Sequence, residues 1–263
     1  MKSILVTGAA GGMGGAAVRM LCEQGYRVYA LDRRRGEARK NVQWLECDIT
    51  DEQSVRQAAA QVQADTGELF AILHYAGIYL LDSLVEMDSA DFEGIFRVNV
   101  FGAFYVNRAF LPLLRAGSRI VLVTSELAPL DPLPFTGIYA VTKGALDRYA
   151  YSLRMELQLL GIAVCVIRAG AVDTGMLGAS TAALERFCAK TSLYSCNAAR
   201  FRHIVDSVEA KCVPPEKIAQ KTLSLLRKPN PTFVSCVNRN PLLLGLNLLP
   251  KRAQLWIIRQ VLR

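Results

Sequence analysis

The sequence predicts an α/β fold: a doubly wound parallel sheet with helices on both faces, in one domain. Three observations predict it. Short apolar, β-branched runs alternate with stretches of helical period. Each run ends in small or polar residues. A glycine-rich turn joins the first run to the first helix, and no repeat, low-complexity segment or linker divides the 263 residues.

Ile4-Leu5-Val6 is the first strand. Thr7-Gly8-Ala9-Ala10-Gly11-Gly12-Met13-Gly14-Gly15 follows, then a helix with Val18, Leu21 and Cys22, closed by Gly25. Glycines such as Gly8, Gly12 and Gly14 let backbone approach a pyrophosphate, and the helix start offers free N–H groups. Met13 belongs to the same cofactor turn, where its side chain is expected to pack. The second strand, 27–31, ends at Asp32, whose carboxylate can accept both hydroxyls of an adenosine ribose and would repel a 2′-phosphate. Arg33, Arg34 and Arg35 follow; they could attract that phosphate or form a solvated loop. The balance predicts NAD, with NADP second.

The third strand, 42–45, ends at Cys47-Asp48-Ile49. Residues 51–66 have helical spacing, with Val55, Ala58, Ala59 and Val62 inward. The fourth strand, 69–73, ends at His74-Tyr75-Ala76-Gly77. A long helical stretch over 88–115 contains Asn99. The fifth strand, 119–123, ends at Thr124-Ser125-Glu126, and a helix with Tyr139 and Lys143 runs to about residue 160. The sixth strand, 162–167, ends at Arg168-Ala169-Gly170. In such a Rossmann-type sheet the site lies at the carboxyl ends of the strands.

Tyr139 and Lys143, four apart on a helix, share one face. A free tyrosine, with a pKa of about 10, is a poor base at neutral pH. A neighbouring ammonium stabilises the phenolate and lowers that value. The pair could then move a proton at an alcohol or carbonyl oxygen.

Hydrophobic content of 52% fits a folded globule. The seven cysteines are scattered, and His74 and His203 are distant, so neither metal binding nor a disulfide framework is expected. The start, Lys2-Ser3-Ile4-Leu5-Val6, has no signal-peptide pattern, which predicts a cytoplasmic location. Residues 217–263 carry nine basic and no acidic side chains. Because the whole chain is +8, residues 1–216 sum to −1. A basic tail on a neutral body argues against nucleic acid.

Taken together, Thr7-Gly8-x-x-x-Gly12-x-Gly14, Asp48, Ala76-Gly77, Asn99, Ser125, Tyr139-x-x-x-Lys143 and Gly170-x-Val172-x-Thr174 resemble the short-chain dehydrogenase/reductase family over roughly residues 2–240. The resemblance implies that Tyr139 is the catalytic acid/base and that Lys143 holds the nicotinamide ribose and lowers the tyrosine pKa. It implies that Ser125 bonds the reacting oxygen and that Asn99 holds a water linking Lys143 to solvent. Asp48 and Ile49 would flank the adenine, Ala76 and Gly77 would contact the cofactor, and Val172 and Thr174 would sit by the nicotinamide. It also implies a homodimer or homotetramer. Three departures stand out: His74-Tyr75 where the family has Asn-Asn, Ala169 where it has proline, and Ser125 fourteen rather than thirteen positions before Tyr139. Glu126 occupies the thirteenth position, but a glutamate is a poor donor to a developing alkoxide. A one-residue insertion near Asp131-Pro132-Leu133-Pro134 assigns the role to Ser125, leaving Glu126 to line the substrate pocket or to face water.

Residues 175–212, with Leu177, Leu184, Phe187, Leu193, Tyr194, Phe201 and Ile204, read as an apolar lid over a bulky substrate, or as core. The stretch from Leu133 to Lys143 is similar to hydroxysteroid and retinol dehydrogenases, which implies a hydroxysteroid or bile-acid-like substrate. Residues 241–263 form an extension. Leu242 to Leu249 is too short to span a bilayer. Leu255, Trp256, Ile257, Ile258, Val261 and Leu262 among Lys251, Arg252, Arg259 and Arg263 make a basic amphipathic helix, for a membrane surface, the lid or a second subunit. The expected activity is NAD(H)-linked interconversion of a secondary alcohol and a ketone. The alternatives are an NADPH-dependent carbonyl or 3-oxoacyl reductase and a non-catalytic dinucleotide-binding sensor or scaffold.

Overall fold

A computed structural model describes residues 1–198, 200–202 and 212–263, with backbone alone over 175–181. His203 and Ile204 lie outside the described residues. Seven parallel strands form one sheet in the order β3-β2-β1-β4-β5-β6-β7. They are β1 (Ser3–Thr7), β2 (Arg27–Asp32), β3 (Val42–Glu46), β4 (Leu69–His74), β5 (Leu114–Ser125), β6 (Ala163–Ala169) and β7 (Val234–Val237). The order reverses between β1 and β4, and that switch opens a crevice beyond their carboxyl ends.

Strand side chains alternate between two cores, as the two-residue period requires. Leu5, Leu31, Ile72, Ile120 and Val164 face one side, with α2 (Glu52–Asp65), α4 (Gly102–Phe110) and α5 (Gly137–Leu157). Ile4, Val6, Val28, Leu73, Val121 and Ile167 face the other, with α1 (Gly12–Glu23) and α7 (Glu216–Arg227). Burial on both faces explains why these strands read as continuous apolar runs. Each fully buried Leu, Ile or Val contributes on the order of 2 kcal/mol. Asp51 caps α2 by accepting the Gln53 N–H at 2.9 Å.

The long helical stretch expected over 88–115 is present from Ser89 to Leu113, with one wide turn inside it. It is α3 (Ser89–Phe96), a π-helical turn (Arg97–Phe101) and α4, and β5 already begins at Leu114. A three-residue 3₁₀ turn, Leu111–Leu113, ends the stretch at Pro112. The edge strand β7 and helix α7 were not anticipated. After α6 (Gly175–Lys190), a third core cluster gathers Leu184, Phe187 and Phe201 of the expected lid with Leu81 and Leu262. The C-terminal residues form two helices, α8 (Pro241–Leu248) and α9 (Lys251–Leu262), because Leu249 and Pro250 break the run.

Candidate active site

The crevice at the switch point is a cleft of about 480 Å³. Gly8, Gly12, Met13, Gly14, Asp32, Asp48, Ile49, Ala76, Gly77 and Thr174 all line it. The turn after β1 depends on its glycines. Gly8 has φ +65°, and a Cβ there would stand 2.6 Å from the Ala76 backbone nitrogen. A Cβ at Gly12 would meet Thr174 Cγ2 at 2.7 Å. Three strand ends therefore close on one another through bare backbone, and the start of α1 faces the resulting space. That cradle fits the diphosphate of a dinucleotide.

Asp32, at the end of β2, accepts the Ala10 N–H at 3.0 Å and the Arg34 N–H at 3.2 Å. Among the described residues it forms no ion pair with Arg33, Arg34 or Arg35, and Arg33 and Arg34 line the cleft themselves. Asp48 ties its own loop by accepting the Thr50 N–H at 2.9 Å. The Val172 side chain is buried in the core and the residue is bridged to Val213, and Thr174, two residues on, lines the cleft.

Tyr139, Lys143, Ser125 and Asn99 converge just past Gly77. Ser125 ends β5 beside Tyr139, and its Oγ accepts the Leu127 N–H at 3.2 Å. Lys143 lies one turn along α5, buried, with Nζ donating to the Val123 carbonyl at 3.3 Å. A Cβ at Gly77 would stand 3.2 Å from both Lys143 Nζ and Asn99 Oδ1, so the ammonium and the amide share that corner. Asn99 is in the π turn, not at a helix end, and does not serve as a cap. It accepts the Ile78 N–H at 2.8 Å, donates to the Ile78 carbonyl at 3.0 Å and donates to Thr142 Oγ1 at 3.1 Å. The wider π turn aims this side chain at the β4 loop.

The expectation that Lys143 pulls the Tyr139 phenol down is reversed in this site. Burial pushes the phenol up to about 12, against a smaller lowering from the Ser125 hydroxyl. Burial also brings Lys143 down to about 8. The ammonium sits 5.8 Å from the phenol ring centroid and is bonded to a carbonyl. Desolvation outweighs attraction over that gap.

Glu126 is buried, which excludes the water-facing alternative. Its Oε2 accepts the Asn240 N–H at 2.6 Å, holding the segment between β7 and α8 against β5. Burial raises its carboxyl, opposed by the Asn240 N–H and by Arg239.

The His74-Tyr75 departure has its own solution. His74 Nε2 bonds Asn107 Oδ1 at 2.8 Å on α4, and Tyr75 bonds Thr222 Oγ1 at 2.6 Å on α7. Burial drives the imidazole down to about 4 and the Tyr75 phenol upward.

Two features escaped the sequence. Tyr79 lines the cleft and packs edge-on to Tyr139, with ring centroids 4.8 Å apart. Arg168 on β6 grips Asp147 on α5 in a bidentate pair at 3.0 and 2.7 Å, fixing the helix that carries Tyr139 and Lys143. Asp147 falls four residues after Lys143 on the same helix, and that spacing was the available signal.

A family model described as short chain dehydrogenase matches residues 2–185. A 3-ketodihydrosphingosine reductase of Bacteroides thetaiotaomicron is 27% identical over 231 residues, covering 88% of this chain and 85% of its own. The human 17-beta-hydroxysteroid dehydrogenase type 1 is 30% identical over 251 residues, covering 88% and 75%. A short chain dehydrogenase of Burkholderia cenocepacia, solved in complex with NADP, superposes with a TM-score of 0.76 over all of both chains; at 22% identity this speaks to fold alone. The chain belongs to the short-chain dehydrogenase/reductase family, nicotinamide-dinucleotide oxidoreductases that act on CH–OH groups.

Proposed function

We propose that this protein interconverts a secondary alcohol and a ketone on a bulky, apolar, hydroxysteroid-like or bile-acid-like molecule, with NAD(H) preferred. The observation that carries the reading is the convergence of Ser125, Tyr139, Lys143 and Asn99 at Gly77, at the edge of a cleft walled by backbone glycines. A nicotinamide dinucleotide in that cleft supplies or accepts the hydride. Tyr139, protonated at neutral pH, gives its proton to the substrate oxygen during reduction. Ser125 donates a hydrogen bond to the oxyanion as charge develops. Lys143, with a pKa near 8, is poised to restore the proton, and Asn99 fixes the neighbouring Ile78 backbone and a route toward solvent.

The cluster of Leu184, Phe187, Phe201 and Tyr194 around Phe135 supports an apolar lid over the substrate. Asp32 on the cleft wall supports NAD. Exposed Phe101, Phe104, Val141, Tyr151 and Met155, along the π turn, α4 and α5, support assembly of two or four copies through those helices.

A second reading, an NADPH-dependent reductase of a ketone on a long apolar chain, is favoured by one observation: Arg33 and Arg34 line the cleft without an ion pair to Asp32. Initial rates with ketosteroids, bile acids and aliphatic ketones, each with NADH and NADPH, separate the two. Steroid turnover with NADH supports the first, and turnover confined to chain ketones with NADPH replaces it with the second.

A further inference from the structure

The proposed reaction makes no use of the outer face of α8 and α9. One edge of α9 is held to the body: Ile258 and Leu262 join the lid cluster, Gln254 is buried, and Asn197 Nδ2 donates to the Leu262 carbonyl at 2.5 Å. Lys251 pairs with Asp131, whose N–H is accepted by Asn247 Oδ1 at 2.7 Å. The hairpin is therefore a fixed part of the fold.

The exposed face beside it is unpartnered among the described residues and mixed in chemistry. Leu255 is 68% exposed and Trp256 63%, and Leu248, at the turn into α9, is 86% exposed. Arg252, Arg259 and Arg263 are exposed and form no ion pair among the described residues. At 3.6 residues per turn, Leu255, Arg259, Arg252, Arg263 and Trp256 fall within an arc of about 100°. Arginines whose stems flank a leucine and a tryptophan can seat the apolar groups in a headgroup layer while their guanidiniums stay at the phosphates. No described helix is long and apolar enough to cross a membrane. The 12-residue α9 reaches only about 18 Å, so such a helix lies along the surface.

We propose that this face docks the protein on an anionic lipid surface, with α9 lying in the headgroup plane. Charge selects lipid over a second copy. A two-fold contact would set the same patch against itself. Residues 217–263 contain nine basic and no acidic residues, so that contact would bring arginine to arginine without a counter-charge. The exposed apolar residues of the π turn, α4 and α5 offer a second copy a different face.

Flotation of the full chain with vesicles tests this. It should rise with phosphatidylcholine vesicles containing phosphatidylserine, stay down with phosphatidylcholine alone, and be released by high salt. Removing two arginine charges in R252Q/R259Q should weaken partitioning on the order of 30-fold. The chain has two tryptophans, so Trp44→Phe leaves Trp256 as sole reporter, and its emission should shift to the blue with anionic vesicles. The proposal is overturned if the chain stays down with both vesicles, or if it binds both equally. It is also overturned if Trp256→Ala dissociates an oligomer present in the parent, which would make the face a contact between copies.

Discussion

The Ser125 hydroxyl stands beside Tyr139 and accepts the Leu127 N–H at 3.2 Å, whereas the next side chain, Glu126, accepts the Asn240 N–H at 2.6 Å. Two adjacent residues at one strand end thus carry different tasks. Ser125→Ala should lower kcat by about 10²–10³-fold, the loss seen when one oxyanion donor is removed. Glu126→Ala should leave kcat within a few-fold but leave a half-buried N–H without its partner, lowering stability by about 1 kcal/mol in urea unfolding. A dead Glu126→Ala beside an active Ser125→Ala would exchange the two roles.

His74 makes stability depend on pH. Its folded pKa is about 4 against an ordinary value of 6.5, because burial disfavours the imidazolium. Between those values the unfolded chain binds the extra proton, so stability falls as pH drops from 6.5 toward 4, by about 3 kcal/mol at most. His74→Gln, which keeps a donor for Asn107, should flatten that part of the pH profile. An unchanged slope in urea titrations at pH 7 and pH 5 would show that another group carries the dependence.

The strands and the glycine turn were legible in the sequence because burial on both sheet faces writes continuous apolar runs and the turn writes glycines. Most of the cleft was legible for the same reason, since its walls are strand ends. Along the loop after β6 the Val172 side chain turns into the core while Thr174 lines the cleft, a division that the sequence did not mark. The wide turn at Asn99 was hidden because a π turn inserts one residue into a helix without a glycine or proline to mark it. The Tyr139 pKa was misjudged because helix spacing reports proximity to Lys143 but not desolvation. Tyr79 was missed because a loop aromatic carries no period.

The proposed cofactor preference rests on Asp32. A 2′-phosphate beside that carboxylate would be repelled by several kcal/mol in a partly desolvated cleft. The carboxylate is held by the Ala10 and Arg34 N–H groups and not by an arginine side chain, so its charge is not neutralised within the loop. Asp32→Ser should shift the kcat/KM ratio toward NADP on the order of 100-fold, with Arg33 or Arg34 free to meet the phosphate. A parent enzyme that already prefers NADP would make those arginines the deciding residues.

The proton step at Tyr139 is the centre of the account, and Tyr139→Phe isolates it, since only one oxygen is removed from a ring that keeps its packing on Tyr79. Single-turnover reduction of a ketone that the parent accepts, with cofactor affinity measured alongside, is the direct test. The account predicts a rate reduced by several orders of magnitude with cofactor affinity within a few-fold of the parent. A Tyr139→Phe enzyme that turns over at near the parent rate would contradict it.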